Sequence, residues 1–227
     1  MRIFAIGDLH LSQSADKPMD VFGEIWLNHI QRLQCAWQDT ILEDDWVLIP
    51  GDISWAMQLD AALPDLQLIS ELPGKKMLLR GNHDYWWSSL AKVRSVLPPE
   101  MHALQNDSLS LGVVTVCGAR GWNCPSATGF SDADEKIYSR ELQRLELSLK
   151  SAAVDTGKLL MMHFPPFNER GQNTEFTKMI EQYQVETVVY AHLHGQGQKT
   201  AFEGERNGVR YVFVASDYLR FQPKFIM

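Results

Sequence analysis

Apolar residues fall in short runs that stop abruptly at polar, mostly glycine-bearing segments. Residues 1–6 read as a buried strand that ends at Gly7-Asp8-Leu9-His10, and the next segment spaces Ile25, Trp26, Ile30, Leu33 and Trp37 at helical intervals. Residues 46–49 repeat the pattern, ending at Pro50-Gly51-Asp52. A helix over about 56–69 follows, before the Pro73-Gly74 break. A third strand, 76–79, stops at Gly81-Asn82-His83-Asp84, and 85–96 has helical spacing until Pro98-Pro99 ends it.

The second half is more mixed. Alternation and β-branched content over 108–117 predict a hairpin or meander, and 135–150 is a charged amphipathic helix with Ile137, Leu142, Leu145 and Leu149 inward. Two further apolar strands follow. Residues 159–162 end at His163-Phe164-Pro165-Pro166, and 185–190 end at Ala191-His192-Leu193-His194. The tail, 200–203 and 209–215 around Asn207-Gly208, reads as a terminal hairpin. With no repeat, low-complexity run or linker, a single domain over 1–227 is expected.

Five strand exits thus carry Asp, Asn or His, and open α/β sheets bind ligands beyond the carboxyl ends of their strands. Asp8 and His10 are two apart, as are His192 and His194, so an extended strand end would turn each pair to one side. A dinuclear hydrolase needs hard carboxylate oxygens, imidazole nitrogens and one carboxylate able to bridge two ions, and this set supplies them.

The ordered blocks Asp8-Leu9-His10, Gly51-Asp52, Gly81-Asn82-His83-Asp84, His163 and Ala191-His192-Leu193-His194 resemble those of the calcineurin-like metallophosphoesterase superfamily. Ala191 stands where the last block usually has glycine, which removes no ligand. The resemblance implies a four-layer αββα sandwich with two mixed β-sheets and two divalent metal ions. One ion would be held by Asp8, His10, Asp52 and His194, the other by Asp52, Asn82, His163 and His192. It further implies in-line attack on a phosphate ester by a metal-bridging hydroxide, with His83 as general acid. After Asp52 the chain runs Ile53-Ser54-Trp55-Ala56 and lacks the Asp-Arg-Gly extension of protein serine/threonine phosphatases. A phosphodiester or nucleotide pyrophosphate is therefore preferred over a monoester. The alternatives are a phosphomonoesterase of small molecules and a non-catalytic metal-binding scaffold. Mixed carboxylate, amide and imidazole ligands accept manganese, iron, zinc, cobalt or nickel; manganese is the working choice.

Other residues admit two readings. Asp84 could orient His83, but an acidic residue ahead of a helical stretch is more often its N-cap, and the cap is favoured. Trp55, Trp86, Trp87 and Trp122 either wall a substrate pocket or pack the core. Arg120, leaving a strand beside glycines, either reaches a substrate phosphate or makes a surface ion pair, the second being favoured. His29 and His102 have no second ligand at useful spacing and read as structural or exposed.

Composition narrows the picture further. A formal net charge of −7 with no long Lys/Arg cluster argues against a nuclease and for a small phosphorylated or nucleotide substrate. Cys35, Cys117 and Cys124 form no CxxC pair, and the spacing of Cys117 and Cys124 matches no zinc motif, so these two read as small buried side chains. Together with the absence of a signal peptide, this suits a reduced, cytoplasmic setting. No run approaches the roughly 18–20 apolar residues of a membrane span.

Overall fold

The computed structural model describes residues 1–125 and 127–227. Along the chain run β1 (Ile3–Ala5), α1 (His29–Thr40), β2 (Trp46–Pro50), α2 (Leu59–Ser70), β3 (Lys75–Leu79), α3 (Leu90–Val96) and β4 (Met101–Leu104). There follow β5 (Ser108–Ser110), β6 (Val114–Ala119), α4 (Asp132–Lys150), β7 (Gly157–Met162), α5 (Glu175–Gln182), β8 (Thr187–Tyr190), β9 (Gly204–Arg206), β10 (Val209–Phe213) and β11 (Lys224–Phe225). The strands form two sheets, ordered β11-β1-β2-β3-β4 and β5-β6-β7-β8-β10-β9. The chain divides into two compact units, residues 1–103 with 214–227, and residues 104–213. Parallel and antiparallel pairs occur in both sheets, as the expected α/β class with two mixed sheets requires.

In the first unit β1, β2 and β3 pair in parallel, with Ile3 opposite Trp46 and Trp46 opposite Lys75. Both β1 and β2 are buried along their whole length, which is why they read as unbroken apolar runs rather than alternating ones. Leu33 and Trp37 of α1 and Leu66 and Ile69 of α2 join Phe4, Ile6, Val47 and Ile49 in one core. The predicted helix over 85–96 forms only from Leu90, capped by Ser89, whose hydroxyl accepts the Lys92 N–H. The preceding residues are kept out of it because Trp86 and Trp87 are drawn into the core. The short β11, antiparallel to β1, has no sequence pattern long enough to announce it.

The second unit runs β6, β7, β8 and β10 parallel, with β5 and β9 antiparallel at its edges. The terminal hairpin turns at Asn207 and Gly208, both left-handed with φ of 52° and 77°, as a two-residue I′ turn demands. Its first strand begins at Gly204, later than expected, because Gly195–Thr200 coils into a 3-10 turn. Helix α4 opens with a Ser131/Asp134 capping box and buries Tyr138, Glu141, Leu145, Ser148 and Leu149, while Ile137 and Leu142 are only half-buried. Two polar residues turn the stripe: Glu141 faces inward to pair with Arg120 and Arg144, and the Ser148 hydroxyl accepts the Gly118 N–H and donates to the Asp107 carbonyl. Among the described residues no helix is long and apolar enough to cross a membrane.

The N-terminal strand is pinned by Asp45, whose carboxylate accepts the Arg2 backbone N–H at 3.0 Å and the Leu42 N–H at 2.9 Å, and pairs with the Arg2 guanidinium. The Arg2 hydrogen bond is the main cause that lowers the Asp45 pKa from 3.8 to about 2. Because the folded carboxyl binds its proton more weakly than the unfolded one, its stabilisation is complete above about pH 4 and disappears as pH falls through about 2. Asp45→Asn should therefore lower stability at neutral pH and flatten the acid limb between those values, read from urea unfolding as a function of pH.

Candidate metal centre

In the first unit the chains of β1 and β2 keep bonding after the strands end. Asp8 N–H donates to Gly51 O at 2.9 Å, His10 N–H to Asp52 O at 3.0 Å and Leu11 N–H to Ile53 O at 2.9 Å. Asp8, His10 and Asp52 nevertheless have left-handed backbone, with φ of 56°, 47° and 52°. Asp8 and His10 do bring their ligand atoms within 4.8 Å of one another, as expected, but the extended strand end is incorrect: two left-handed residues flanking the buried Leu9 aim them. Such conformations cost about 1–2 kcal/mol each for non-glycine residues, so the surrounding bonds must hold them.

Asp84 provides much of that hold. It is fully buried, and its carboxylate accepts the N–H groups of Gly81 (2.7 Å), Asp52 (2.9 Å), Ile53 (2.8 Å) and Ser54 (3.1 Å), together with the Trp86 indole N–H (2.9 Å). The favoured N-cap reading of Asp84 is incorrect, since no helix starts there, and its oxygens serve these donors rather than the His83 ring. Burial, and then the Asp52 charge, push its pKa up to about 6, opposed by the Gly81, Ser54 and Ile53 donors.

Asp52, itself buried, accepts the His83 backbone N–H at 2.8 Å and lies 3.9 Å from His10 Nε2. Asn82 is half-buried on the same loop as His83. Trp55 walls this half of the site: the His10 ring stacks on it at 4.8 Å and the His83 ring tilts against it at 4.6 Å. Lys17 Nζ covers the Trp55 ring at 3.7 Å. Trp86 and Trp87, packed on one another and 1% and 2% exposed, belong to the core, so Trp86 supports Asp84 rather than lining a pocket. Sequence reasoning missed a second tie. Buried Asp65 on α2 accepts the Ser54 hydroxyl and the Gln13 N–H, joining the loops after β1 and β2. Nothing in the spacing of Asp65 distinguishes it from a surface carboxylate of α2.

The second unit carries the three remaining candidate histidines. His163 follows β7, and its carbonyl accepts the Ala191 N–H at 3.1 Å, which aligns the two strand exits. His192 is left-handed (φ 76°) and His194 extended (φ −120°), so this pair too is presented by a bent backbone. The His192 Nδ1 and His163 Nε2 atoms lie 3.2 Å apart. Arg120 pairs with Glu141 at 3.2 Å and lies over the Trp122 ring at 4.6 Å. The expected ion pair forms, but in the interior, with the Arg120 side chain 14% and that of Glu141 1% exposed, because α4 turns Glu141 toward it. Trp122 is half-buried, donates its indole N–H to Asp134 at 2.9 Å and packs on Phe164 at 5.0 Å.

The donor types in each unit suit borderline or hard divalent cations: the first offers carboxylate and amide oxygens with the His10 imidazole, and the second offers the imidazoles of His163, His192 and His194. Thiolates play no part, because burial pushes Cys117 and Cys124 up to about 11 and keeps them as small buried thiols. His29 is buried against Trp26 and Phe221, and His102 packs on Trp46, both structural.

The sequence profile of the calcineurin-like phosphoesterases matches residues 1–196. No curated protein matches the chain. Among solved structures, the phosphopantetheinyl hydrolase of Mycobacterium tuberculosis superposes with a TM-score of 0.61 at 14% identity, over 100% of this chain and 95% of its own. The TT1561 protein of Thermus thermophilus gives 0.56 at 18%, over 93% and 88%. A protein of unknown function from Aquifex aeolicus gives 0.53 at 12%, over 99% and 95%. At these identities the likeness is one of fold.

A Cβ on Gly81 would lie 2.0 Å from Asp52 Oδ1 and 2.3 Å from its backbone nitrogen. Gly81→Ala should therefore cost about 1–3 kcal/mol by displacing Asp52. Gly197→Ala, where the nearest atoms stand at 3.8 Å, should change stability by about 0.5 kcal/mol or less, both read from urea unfolding.

Proposed function

Because the chain belongs to the calcineurin-like phosphoesterase family, a family of metal-dependent phosphoester hydrolases, we propose that it hydrolyses a small organic phosphate with a dinuclear centre. Asp8, His10, Asp52 and His194 would hold one ion and Asp52, Asn82, His163 and His192 the other, so that Asp52 would serve both. The observation that carries the reading is local. Buried carboxylates and buried or half-buried imidazoles, at strand exits, are held in left-handed backbone at Asp8, His10, Asp52 and His192, strain that secondary structure alone does not require. When bound, two divalent cations, manganese as the working choice, would supply Lewis acidity at the phosphoryl group and lower the pKa of water there.

The residues have separable tasks. Asp52 keeps its carboxylate oriented through the His83 N–H, and the Asp84 carboxylate fixes the Asp52 backbone. Trp55 excludes water beside His10 and limits the swing of the His83 ring. His83 delivers a proton to the departing oxygen. A phosphodiester or pyrophosphate-linked nucleotide is the preferred substrate over a monoester, because Ile53-Ser54-Trp55 replaces the protein-phosphatase extension. The thiol state of the buried cysteines fits the cytoplasm.

Metal-stripped protein should turn over neither of two matched chromogenic esters, one a monoester and one a diester. Adding manganese should restore hydrolysis, faster for the diester, and Asp52→Asn should lower the restored rate about a hundredfold or more. Stoichiometric metal binding without hydrolysis of any phosphate ester would overturn the enzyme reading.

His83→Ala should lower kcat about a hundredfold while leaving the bound-metal stoichiometry, measured by calorimetry, at the wild-type value. Retained turnover would remove His83 from the proton-transfer role.

A further inference from the structure

The second unit contains an open pocket of about 230 Å³ that none of the proposed ligands requires. Its walls include the rings of Trp122, Phe164 and His192, and the side chains of Ala127, Pro165 and Leu193. Phe164 lies against the His192 ring with centroids 4.0 Å apart at 34°, and against Trp122 at 5.0 Å, so one aromatic surface runs from a proposed metal ligand into the pocket.

Most of the polar groups on the rim are already engaged. The Trp122 indole N–H donates to Asp134, the Tyr190 hydroxyl to Phe202 O at 2.7 Å and the Thr200 hydroxyl to Gly197 O at 2.8 Å. The Asn168 amide bonds Gln172 and the Arg170 N–H within its own loop, and Glu169 accepts from Thr128. Among the described residues the pocket therefore offers mainly aromatic faces and aliphatic edges, with the Asn123 amide and the Glu169 carboxylate as the polar groups at its edge.

Resting on the phosphoesterase reading above, we propose that this pocket receives the organic group of the substrate and that the group is flat and apolar, as in an aryl phosphodiester, which within that reading favours a diester over a nucleotide with its polar base and sugar. His192 would be shared, one ring contributing both to the ion site and to the pocket wall. Burying a phenyl ring on such a surface favours an aryl over a methyl substituent by about tenfold or more.

The test compares phenylphosphonate with methylphosphonate, bound to manganese-loaded protein and followed by calorimetry and by tryptophan fluorescence. The proposal expects phenylphosphonate to bind about tenfold or more tightly and to quench a signal that Trp122→Ala removes. Ala127→Phe, which fills the pocket, should bring the ratio of affinities close to one, as should Trp122→Ala, with thermal melts confirming that each variant is folded. Equal affinities in the wild-type protein, or a ratio that both folded variants leave intact, overturn the pocket assignment while the phosphoesterase reading stands. Failure of both phosphonates to bind despite bound manganese overturns the two together.

Discussion

Four backbone N–H groups and one indole converge on the Asp84 carboxylate, which joins the loop carrying Asp52 to the loop carrying Asn82 and His83. A buried polar group without a partner costs about 1–3 kcal/mol, so withdrawing this one side chain would leave several donors stranded at once. The geometry of Asp52 follows from it. The Asp52 N–H donates to Asp84, its carbonyl accepts the His10 N–H and its carboxylate accepts the His83 N–H. Gly81 completes the arrangement by having no side chain where Asp52 must lie.

The left-handed backbone at Asp8, His10 and Asp52 is intelligible on the same terms. Each conformation is locally unfavourable, and each is retained because the neighbouring chain takes up its hydrogen bonds: Gly51 for Asp8, Asp52 for His10, Asp84 for Asp52. Asp65 and Ser54 extend the tie to α2, and the Ser216 hydroxyl bonds the Asp8 carbonyl at 2.6 Å. The side chains proposed as ligands are thus held by the protein's own hydrogen bonds, which would reduce the reorganisation that ion binding requires.

In the second unit the same engagement of polar groups has a different result. Arg120, a candidate for phosphate binding, is held by Glu141 and Trp122, and the polar groups around the pocket beside His192 are largely engaged with their own loops. Around the pocket the aromatic surface supplies area, and the His192 ring is part of that surface as well as a proposed nitrogen donor.

Most of the strands and helices, the five polar strand exits and the family were legible in the chain, because buried parallel strands need unbroken apolar runs and metal ligands come from a short list of side chains, whereas β4, α5 and β11 were not read. The bounds of β2, read to within one residue, have the same origin, and the β9–β10 turn was legible from its Asn207-Gly208 pair, which suits a left-handed turn. What sequence could not supply was direction. Whether Asp84 caps a helix or gathers the backbone of another loop, whether Arg120 faces solvent or Glu141, and which of four tryptophans line a cavity all depend on contacts between residues tens of positions apart. Asp8 and His10 show the reason most plainly. Their spacing suggested an extended strand end, but a local pattern carries no record of the hydrogen bonds that the backbone there donates to Gly51 and Asp52 and accepts from Ser216, which make a left-handed backbone stable, and only the tertiary structure decided it.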